Sequence, residues 1–274
     1  MGLLDGKVAL ISGAGRGQGR SHAVTLASEG ADIIGFDICE NTVESLEYSL
    51  SSEADLRETV ALVEKFDRRM VSYKADVRDY DAVRAAVDAG VAELGRLDIV
   101  LANAGIMPIV GAPAKTNRAF YDAIDVMLTG VFNTVTAAED HLLAGDTDGK
   151  CIVITSSTSG LKSLGTGDAG TAGYVAAKHG VVGLMRSWAN KLGPVGIRVN
   201  TVHPTGVNSP MINNDAFARY VEDNQHAAAD LRNILPVPLI ECVDVSNTIL
   251  FLCSDKARYV TGHTMVVDAG FTAR

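Results

Sequence analysis

Residues 12–19 read Ser12-Gly13-Ala14-Gly15-Arg16-Gly17-Gln18-Gly19, and they separate two stretches of opposite character. Residues 8–12 before them form a short apolar run. Residues 19–30 after them have the length of a helix and a glycine at the stop. An apolar strand, a glycine turn and a helix make the first half of a βαβ unit. Outward from this point the same rhythm recurs. Strands are predicted at 8–12, 31–37, 71–77, 98–105, 150–157, 197–204 and 264–270. Helices are predicted at 19–30, 54–69, 79–95, 116–143 and 172–192, where Leu56, Val60 and Val63, and Val83, Val87 and Leu94, recur at helical spacing. Strands alternating with helices pair in parallel through right-handed crossovers. Such strands are covered on both faces and so read as apolar throughout. The expected fold is α/β: one doubly wound domain over residues 1–274 with a seven-stranded parallel sheet. Two stretches break the rhythm. Residues 39–53 are extra chain, an insertion after the second strand. Residues 205–239, with Pro210, Pro236 and Pro238, form a lid candidate before the last helix, because a long segment leaving a strand's carboxyl end suits that task.

The composition agrees. Of 274 residues, 47% are hydrophobic and 21% charged, which excludes a mainly disordered chain. A net charge of −9 favours neither nucleic acid nor an anionic membrane as partner. No apolar run reaches the 18 residues of a membrane span, and the first residues lack the basic-then-apolar order of a secretory signal. Cys39, Cys151, Cys242 and Cys253 are far apart, so neither zinc nor another metal site is expected. Reduced thiols in a cytoplasmic protein are.

The glycine turn has a chemical reading. Glycines let backbone come close to a pyrophosphate, and free amides at the positive end of a helix hold the anion. Gly13, Arg16, Gly17, Gln18 and Gly19 are the candidates. Asp37, followed by Ile38, ends the second strand 18 residues after Gly19, where a carboxylate accepts hydrogen bonds from ribose hydroxyls and repels a 2′-phosphate. Arg16 pulls the other way, since it suits a 2′-phosphate. Asp37 lies at the ribose itself, so NAD is expected rather than NADP. Asp76, with Val77 after it, closes the third predicted strand and suits an adenine amino group, or else caps the next helix. Asn103-Ala104-Gly105 closes the fourth, leaving room for a ribose at the strand ends.

Tyr174 and Lys178 stand four residues apart, on one face of a predicted helix. A free tyrosine titrates near 10. A nearby ammonium and an oxidised nicotinamide both favour the phenolate, and a shift to about 7 needs roughly 4 kcal/mol. Tyr174 is the candidate acid/base, and Lys178 its electrostatic partner and a donor to the nicotinamide ribose. Ser157 ends the fifth strand and is placed to hold the substrate oxygen, with Ser156 as rival. His179 is expected to point away from the site, His203 and His263 near strands show no metal-ligand pattern, and Trp188 is expected to pack its helix. Phe217 and Tyr220 in the lid either contact an apolar substrate or pack the lid.

Together these stretches resemble the short-chain dehydrogenase/reductase family along nearly the whole chain. The family's T-G-x-x-x-G-x-G appears as residues 12–19 with Ser12 for Thr, its N-N-A-G as Ala102-Asn103-Ala104-Gly105, and its Y-x-x-x-K as Tyr174 to Lys178. Its C-terminal motif appears as residues 261–270, ending Val267-Asp268-Ala269-Gly270. The resemblance implies that Val207, after Pro204 and Thr205, presents backbone to the nicotinamide carboxamide, and that Ser209 replaces a threonine near the pyrophosphate. It implies a homotetramer built from long helices. Thr205 stands where the family usually has glycine. Asp125-Val126-Met127-Leu128 stands where it usually reads D-V-N-L, with an asparagine holding a proton-relay water through a helix irregularity. A thioether cannot do that.

The extra stretch after Asp37, with His179-Gly180-Val181-Val182-Gly183 after Lys178 and His203-Pro204-Thr205 later, is similar to a narrower group of enzymes resembling carveol dehydrogenase, many assigned as mycofactocin-dependent. There the insertion is associated with covering NAD so that it does not exchange freely, which implies a redox partner regenerating bound NAD. The expectation is an NAD-dependent oxidoreductase interconverting a secondary alcohol and a ketone, on an apolar alicyclic or terpenoid-like substrate. The alternatives are an NADP-linked carbonyl reductase, should Arg16 dominate Asp37, and a non-catalytic NAD-binding protein, should Met127 abolish turnover.

Overall fold

The computed structural model describes residues 2–163, 167–223 and 232–273, so residues 224–231 of the expected lid lie outside the described residues. In chain order the elements are β1 (Val8–Ser12), α1 (Gly17–Ser28), β2 (Asp32–Asp37), α2 (Glu53–Glu64), β3 (Met70–Lys74), α3 (Tyr80–Leu94) and β4 (Ile99–Ala102). Then follow α4 (Asn117–Ile124), α5 (Gly130–Leu143), β5 (Cys151–Thr155), α6 (Ala169–Leu192), β6 (Arg198–Pro204), β7 (Val207–Asn208), α7 (Asp215–Asp223), β8 (Ile240–Glu241), α8 (Cys242–Cys253) and β9 (Thr264–Val267).

Seven strands form one parallel sheet in the order β3-β2-β1-β4-β5-β6-β9. Ile11 is in register with Gly35 on one side and Leu101 on the other. Successive side chains of a strand leave opposite faces, so the sheet has two cores. Leu10, Val100 and Ile152 pack on one face beneath Val87 of α3, Val135 of α5 and Val181 of α6. Ala9, Ile11, Ile99 and Val153 pack on the other beneath Leu26 of α1 and Ile249 of α8. Burial of each such aliphatic side chain contributes about 1.5–3 kcal/mol. The amino-terminal end of the sheet is pinned by Asp98. Its buried carboxylate accepts from Val8 N (2.9 Å) and pairs with Arg96 (2.7 Å) and Lys7 (3.8 Å).

The chain order of the sheet reverses between β1 and β4, and there the carboxyl ends of the strands part to leave a crevice. The first strand matches its prediction, 8–12, and the other six end up one to four residues shorter than predicted, because the sequence pattern continues past the last ladder bond. Asp76 therefore does not close a strand. β3 stops at Lys74, and the cap of α3 is Asp79, which accepts from Ala82 N (3.1 Å).

The predicted helix 116–143 is interrupted. Between α4 and α5, residues Asp125–Thr129 form a wider turn, closed by the Gly130 N–H on the Asp125 carbonyl five residues back. Residues 38–52 form neither helix nor strand, and α2 takes over at Glu53 under a capping box of Ser52 and Asp55. β7 and β8 make a separate two-stranded parallel pair at the base of the 205–239 segment.

Candidate active site

The glycine turn builds the floor of the crevice. Gly13 has φ +69°, and a β-carbon on it would come within 2.9 Å of the Ala104 Cα; one on Gly19 would come within 1.9 Å of the Gly13 carbonyl. Both positions need glycine, one for conformation and closeness, the other for closeness alone. α1 has Arg16 at its amino-terminal cap, making no side-chain cap bond, and no acidic residue in its first turn, so its amino-terminal amides stay open to an anion. Gly13, Arg16, Gly17, Gln18, Gly19, Asp37, Ile38, Asp76, Val77, Asn103, Ala104, Gly105 and Ser209 all line this crevice.

Asp37 is buried, and its carboxylate is largely occupied. Oδ2 accepts from Gly15 N (2.8 Å); Oδ1 accepts from Ile38 N (2.8 Å) and from the Ser51 hydroxyl. Ser51 thus holds an acceptor position suited to a ribose hydroxyl. Asp76 lines the crevice with its carboxylate gripped by the Arg78 guanidinium (2.6 Å and 2.8 Å). Arg16 is engaged by the insertion: its guanidinium donates to the Ser49 carbonyl. Asn103 ties the turn to the sheet, donating from Nδ2 to Ser12 O (3.1 Å), while Ser12 Oγ accepts from Asn103 N and Ala104 N.

The insertion runs along the crevice and is fastened at many points. Ser45 donates to Asp122 (2.6 Å), the Tyr48 hydroxyl accepts from Met107 N (2.8 Å), and Arg78 donates to Thr42 Oγ1 (3.2 Å). Glu47 pairs with Arg219 of α7 (3.3 Å), so the insertion also touches the 205–239 segment. Val43 and Leu50 complete the crevice wall opposite Pro210 and Met211. Sequence reasoning located the insertion but none of these fastenings, since they join residues distant in the chain.

Beyond the crevice lies a cavity of about 610 Å³, walled by Met107, Ile109, Ile212, Phe217, Leu235 and Phe271 among others. This size suits a small organic ligand. Phe217 and Tyr220 stack at 6.0 Å and both line it; Arg232 is the one formally charged side chain among its described lining residues. A smaller hollow joins crevice and cavity. Gln18 and Ser209 reach it from the crevice side, Ser157 and Tyr174 from the cavity side, and Pro204 and Val207 complete it. Among the described residues Gln18 Oε1 is buried without a hydrogen-bond partner, an acceptor awaiting a donor. Thr205, in place of glycine, has a structural use: it donates to Asn233 Oδ1 (3.0 Å), and Asn233 in turn donates to Val237 O (2.8 Å), fixing the far wall.

Ser157 follows β5 in extended conformation, and its hydroxyl accepts from Ser159 N (3.1 Å). The Ser156 hydroxyl is committed elsewhere, donating to the Lys178 carbonyl (2.8 Å). Tyr174 and Lys178 sit one turn apart on α6, the ammonium 5.8 Å from the phenol ring centre. Lys178 is buried, and its Nζ donates to the Thr155 carbonyl (2.8 Å). Burial pushes this ammonium down to about 8. Burial also pushes the Tyr174 phenol up, while its hydrogen bond with Ser157 pulls it down. The chain's own groups therefore do not produce the acidified phenol expected from sequence; desolvation outweighs them. Met127 is wholly buried in the wide turn, with its Cγ and the Lys178 Nζ each 3.8 Å from the β-carbon position of Gly105.

An open helix end, a carboxylate lining the crevice and a Ser-Tyr-Lys cluster at the mouth of an apolar cavity define a dinucleotide-linked oxidoreductase site. A family model described as enoyl-(acyl carrier protein) reductase matches residues 13–272. The chain is 47% identical to (−)-trans-carveol dehydrogenase of Rhodococcus erythropolis, with 100% of each chain covered. It is 36% identical to trans-4-hydroxycyclohexanecarboxylate dehydrogenase of Sinomonas cyclohexanicum, over 97% of this chain and 93% of that one. Among solved structures, carveol dehydrogenase from Mycobacterium avium in complex with NAD superposes with a TM-score of 0.92 at 47% identity, covering 100% of both chains. The chain belongs to the short-chain dehydrogenase/reductase family.

Proposed function

We propose that this protein is an NAD-dependent oxidoreductase that interconverts a secondary alcohol and a ketone on an apolar alicyclic or terpenoid-like substrate. The observation that carries this reading is the junction: Ser157 and Tyr174 face both the apolar cavity and the hollow that opens on the dinucleotide crevice. NAD, when bound, supplies the hydride acceptor and donor. The residues present fit it: the open end of α1 takes the pyrophosphate, Asp37 the adenosine ribose, and the buried, unpaired Gln18 Oε1 offers an acceptor beside them. Lys178 and Tyr174 take the nicotinamide ribose, and Val207 the carboxamide.

The protein's own part is the proton. Ser157 holds the substrate oxygen by its hydroxyl hydrogen. Tyr174 accepts the alcohol proton in oxidation and returns one to the ketone oxygen in reduction. Lys178 stabilises the phenolate by its charge, which oxidised nicotinamide reinforces. Two relatives whose names specify alicyclic alcohols, and the apolar cavity walls, support the substrate class.

NAD is favoured over NADP because Asp37 faces the ribose while Arg16 is engaged by the Ser49 carbonyl. The fastened insertion supports a tightly held NAD, regenerated by a separate redox partner as in the mycofactocin-dependent group. Exposed Tyr121 and Phe132 on α4 and α5 support a homotetramer, placed in the cytoplasm. The test is a panel of cyclic secondary alcohols and ketones assayed with NAD, with NADP and with an artificial electron acceptor. NAD-linked or acceptor-linked turnover lost in Tyr174→Phe is expected. NADP-only turnover favours the carbonyl reductase. NAD binding without turnover on any member favours the non-catalytic alternative, which Met127 motivates.

A further inference from the structure

His203 is wholly buried on β6, one residue before Pro204, and no step of the proposed reaction uses it. Its Nδ1 lies 2.8 Å from the Ser157 carbonyl oxygen, and its Nε2 lies 2.8 Å from Thr201 Oγ1. A carbonyl oxygen only accepts, so Nδ1 carries the proton. Burial pushes the imidazole down to about 4, with the Lys178 charge acting in the same direction, so it is neutral under ordinary conditions. Nε2 is then an acceptor, and the Thr201 hydroxyl is its donor. The tautomer is settled by its two partners.

The Ser157 carbonyl is where the sheet stops holding the chain. The last ladder contact before it is Ser156 N on Val202 O (2.9 Å). Past it, Ser157 opens a tight turn whose Gly160 N–H reaches back to the Ser157 carbonyl (2.9 Å). That carbonyl has two lone pairs: the turn fills one and His203 the other. The same residue's hydroxyl lines the substrate cavity and accepts from Ser159 N. The imidazole thus clamps the peptide from the sheet side at the residue whose hydroxyl meets the substrate.

We propose that His203 is a positioning residue for the reaction: its Nδ1–H fixes the Ser157 peptide and so aims the Ser157 hydroxyl at the substrate oxygen beside Tyr174, with Thr201 holding the imidazole in the tautomer this requires. This rests on the role given to Ser157 above. A misplacement of an ångström in a reacting group costs about 100-fold in rate, so loss of the clamp is expected to show in kcat rather than in cofactor binding.

The test is a double-mutant cycle between His203 and Ser157, because residues that act as a unit are not additive. His203→Leu removes the donor at nearly constant volume. His203→Asn keeps an N–H near the Nδ1 position. Thr201→Val removes only the donor to Nε2. Two readouts are used. The first is oxidation of carveol, as kcat and KM separately. The second is the midpoint of the Tyr174 phenol in the NAD-loaded protein, from phenolate absorbance after subtracting the Tyr174→Phe protein; it needs no turnover. In the wild-type background His203→Leu is expected to lower kcat by about 10- to 100-fold and to raise the phenol midpoint, with NAD retention unchanged. In the Ser157→Ala background it is expected to change neither readout. His203→Asn is expected to recover most of both, and Thr201→Val to show a smaller change in the same direction, again absent in Ser157→Ala.

The proposal is overturned if His203→Leu has the same effect in both backgrounds, if it has none in wild type, or if His203→Asn is as impaired as His203→Leu. Should His203→Leu not fold, the cycle run with Thr201→Val decides by the same criterion. If Ser157→Ala itself alters neither readout, the role of Ser157 fails and His203 with it. If Ser157→Ala is slow and His203→Leu is not, only the role of His203 fails.

Discussion

At Tyr174 two opposing effects meet. Burial raises the phenol and the Ser157 hydroxyl lowers it, and burial is the larger. In the cofactor-free protein Tyr174 is therefore expected to titrate above the ordinary value near 10. Oxidised NAD, bound as proposed, would bring a positive charge near it and is expected to move the midpoint down, by an amount visible as phenolate absorbance lost in Tyr174→Phe. The sign for catalysis follows. Below the midpoint the phenol is neutral and serves as acid, favouring ketone reduction; above it the phenolate serves as base, so alcohol oxidation rises with pH through that midpoint. Tyr174→Phe is expected to lower kcat by about 10²- to 10⁴-fold, the usual scale for a lost acid/base, while the protein still retains NAD. Met127 gives a second expectation at this scale. The wide turn that accompanies a relay asparagine is present, but it carries a buried thioether. Proton exchange behind Lys178 is therefore expected to be slowed, and Met127→Asn to raise kcat and to alter its pH profile. An unchanged rate and profile would remove that idea.

At the scale of elements, the insertion contributes no helix or strand, yet its polar groups fasten it to Asp37, Asp122, Met107, Arg78 and Arg219. These bonds act together, so loosening two of them is expected to matter more than the exposed Glu47–Arg219 pair. Ser51→Ala combined with Tyr48→Phe leaves the sheet untouched. If the insertion retains NAD, the protein purified without added nucleotide is expected to carry several-fold less NAD in this variant, while Arg219→Ala carries as much as wild type. Equal occupancy in the double variant would mean that the insertion is a surface elaboration.

What the sequence disclosed at this scale follows from the physics of each element. The buried central strands announce themselves as apolar runs, the half-exposed edge strand β3 by its alternation, and the glycine turn by composition, so the topology and the crevice were legible. β7 and β8, two residues each, carry no period to detect. The interruption at Asp125–Thr129 leaves the apolar spacing of the helix intact and was visible only through the family resemblance. His203 was set aside because it shows no metal-ligand pattern; of its two partners Thr201 stands two residues before it on the same strand, while Ser157 becomes a neighbour only when β5 and β6 pair. Ser157 was preferred to Ser156 from sequence alone; the fold adds that the Ser156 hydroxyl is committed to the Lys178 carbonyl while Ser157 lines the cavity.

For the whole molecule, the outer faces of α4, α5 and α6 are the surface to probe. Phe132 is 47% exposed while stacked on Trp188, which is 5% exposed, and Tyr121 is 57% exposed. Large aromatic side chains left in water on packed helices mark contact surfaces. A Phe132→Glu variant is expected to sediment as a smaller species than wild type at equal concentration, with an unchanged far-ultraviolet circular dichroism spectrum. Identical sedimentation would exclude this face from the assembly.

The Asp98 anchor lies at one end of the strands and every reactive group at the other. A directed-evolution library confined to Met107, Ile212, Phe217 and Leu235 would leave that anchor, and the ladders above it, untouched. Colonies from such a library would differ in which alcohols they consume while keeping the parent's melting behaviour, so selection for new chemistry and selection for sturdiness can proceed as separate campaigns on the same gene.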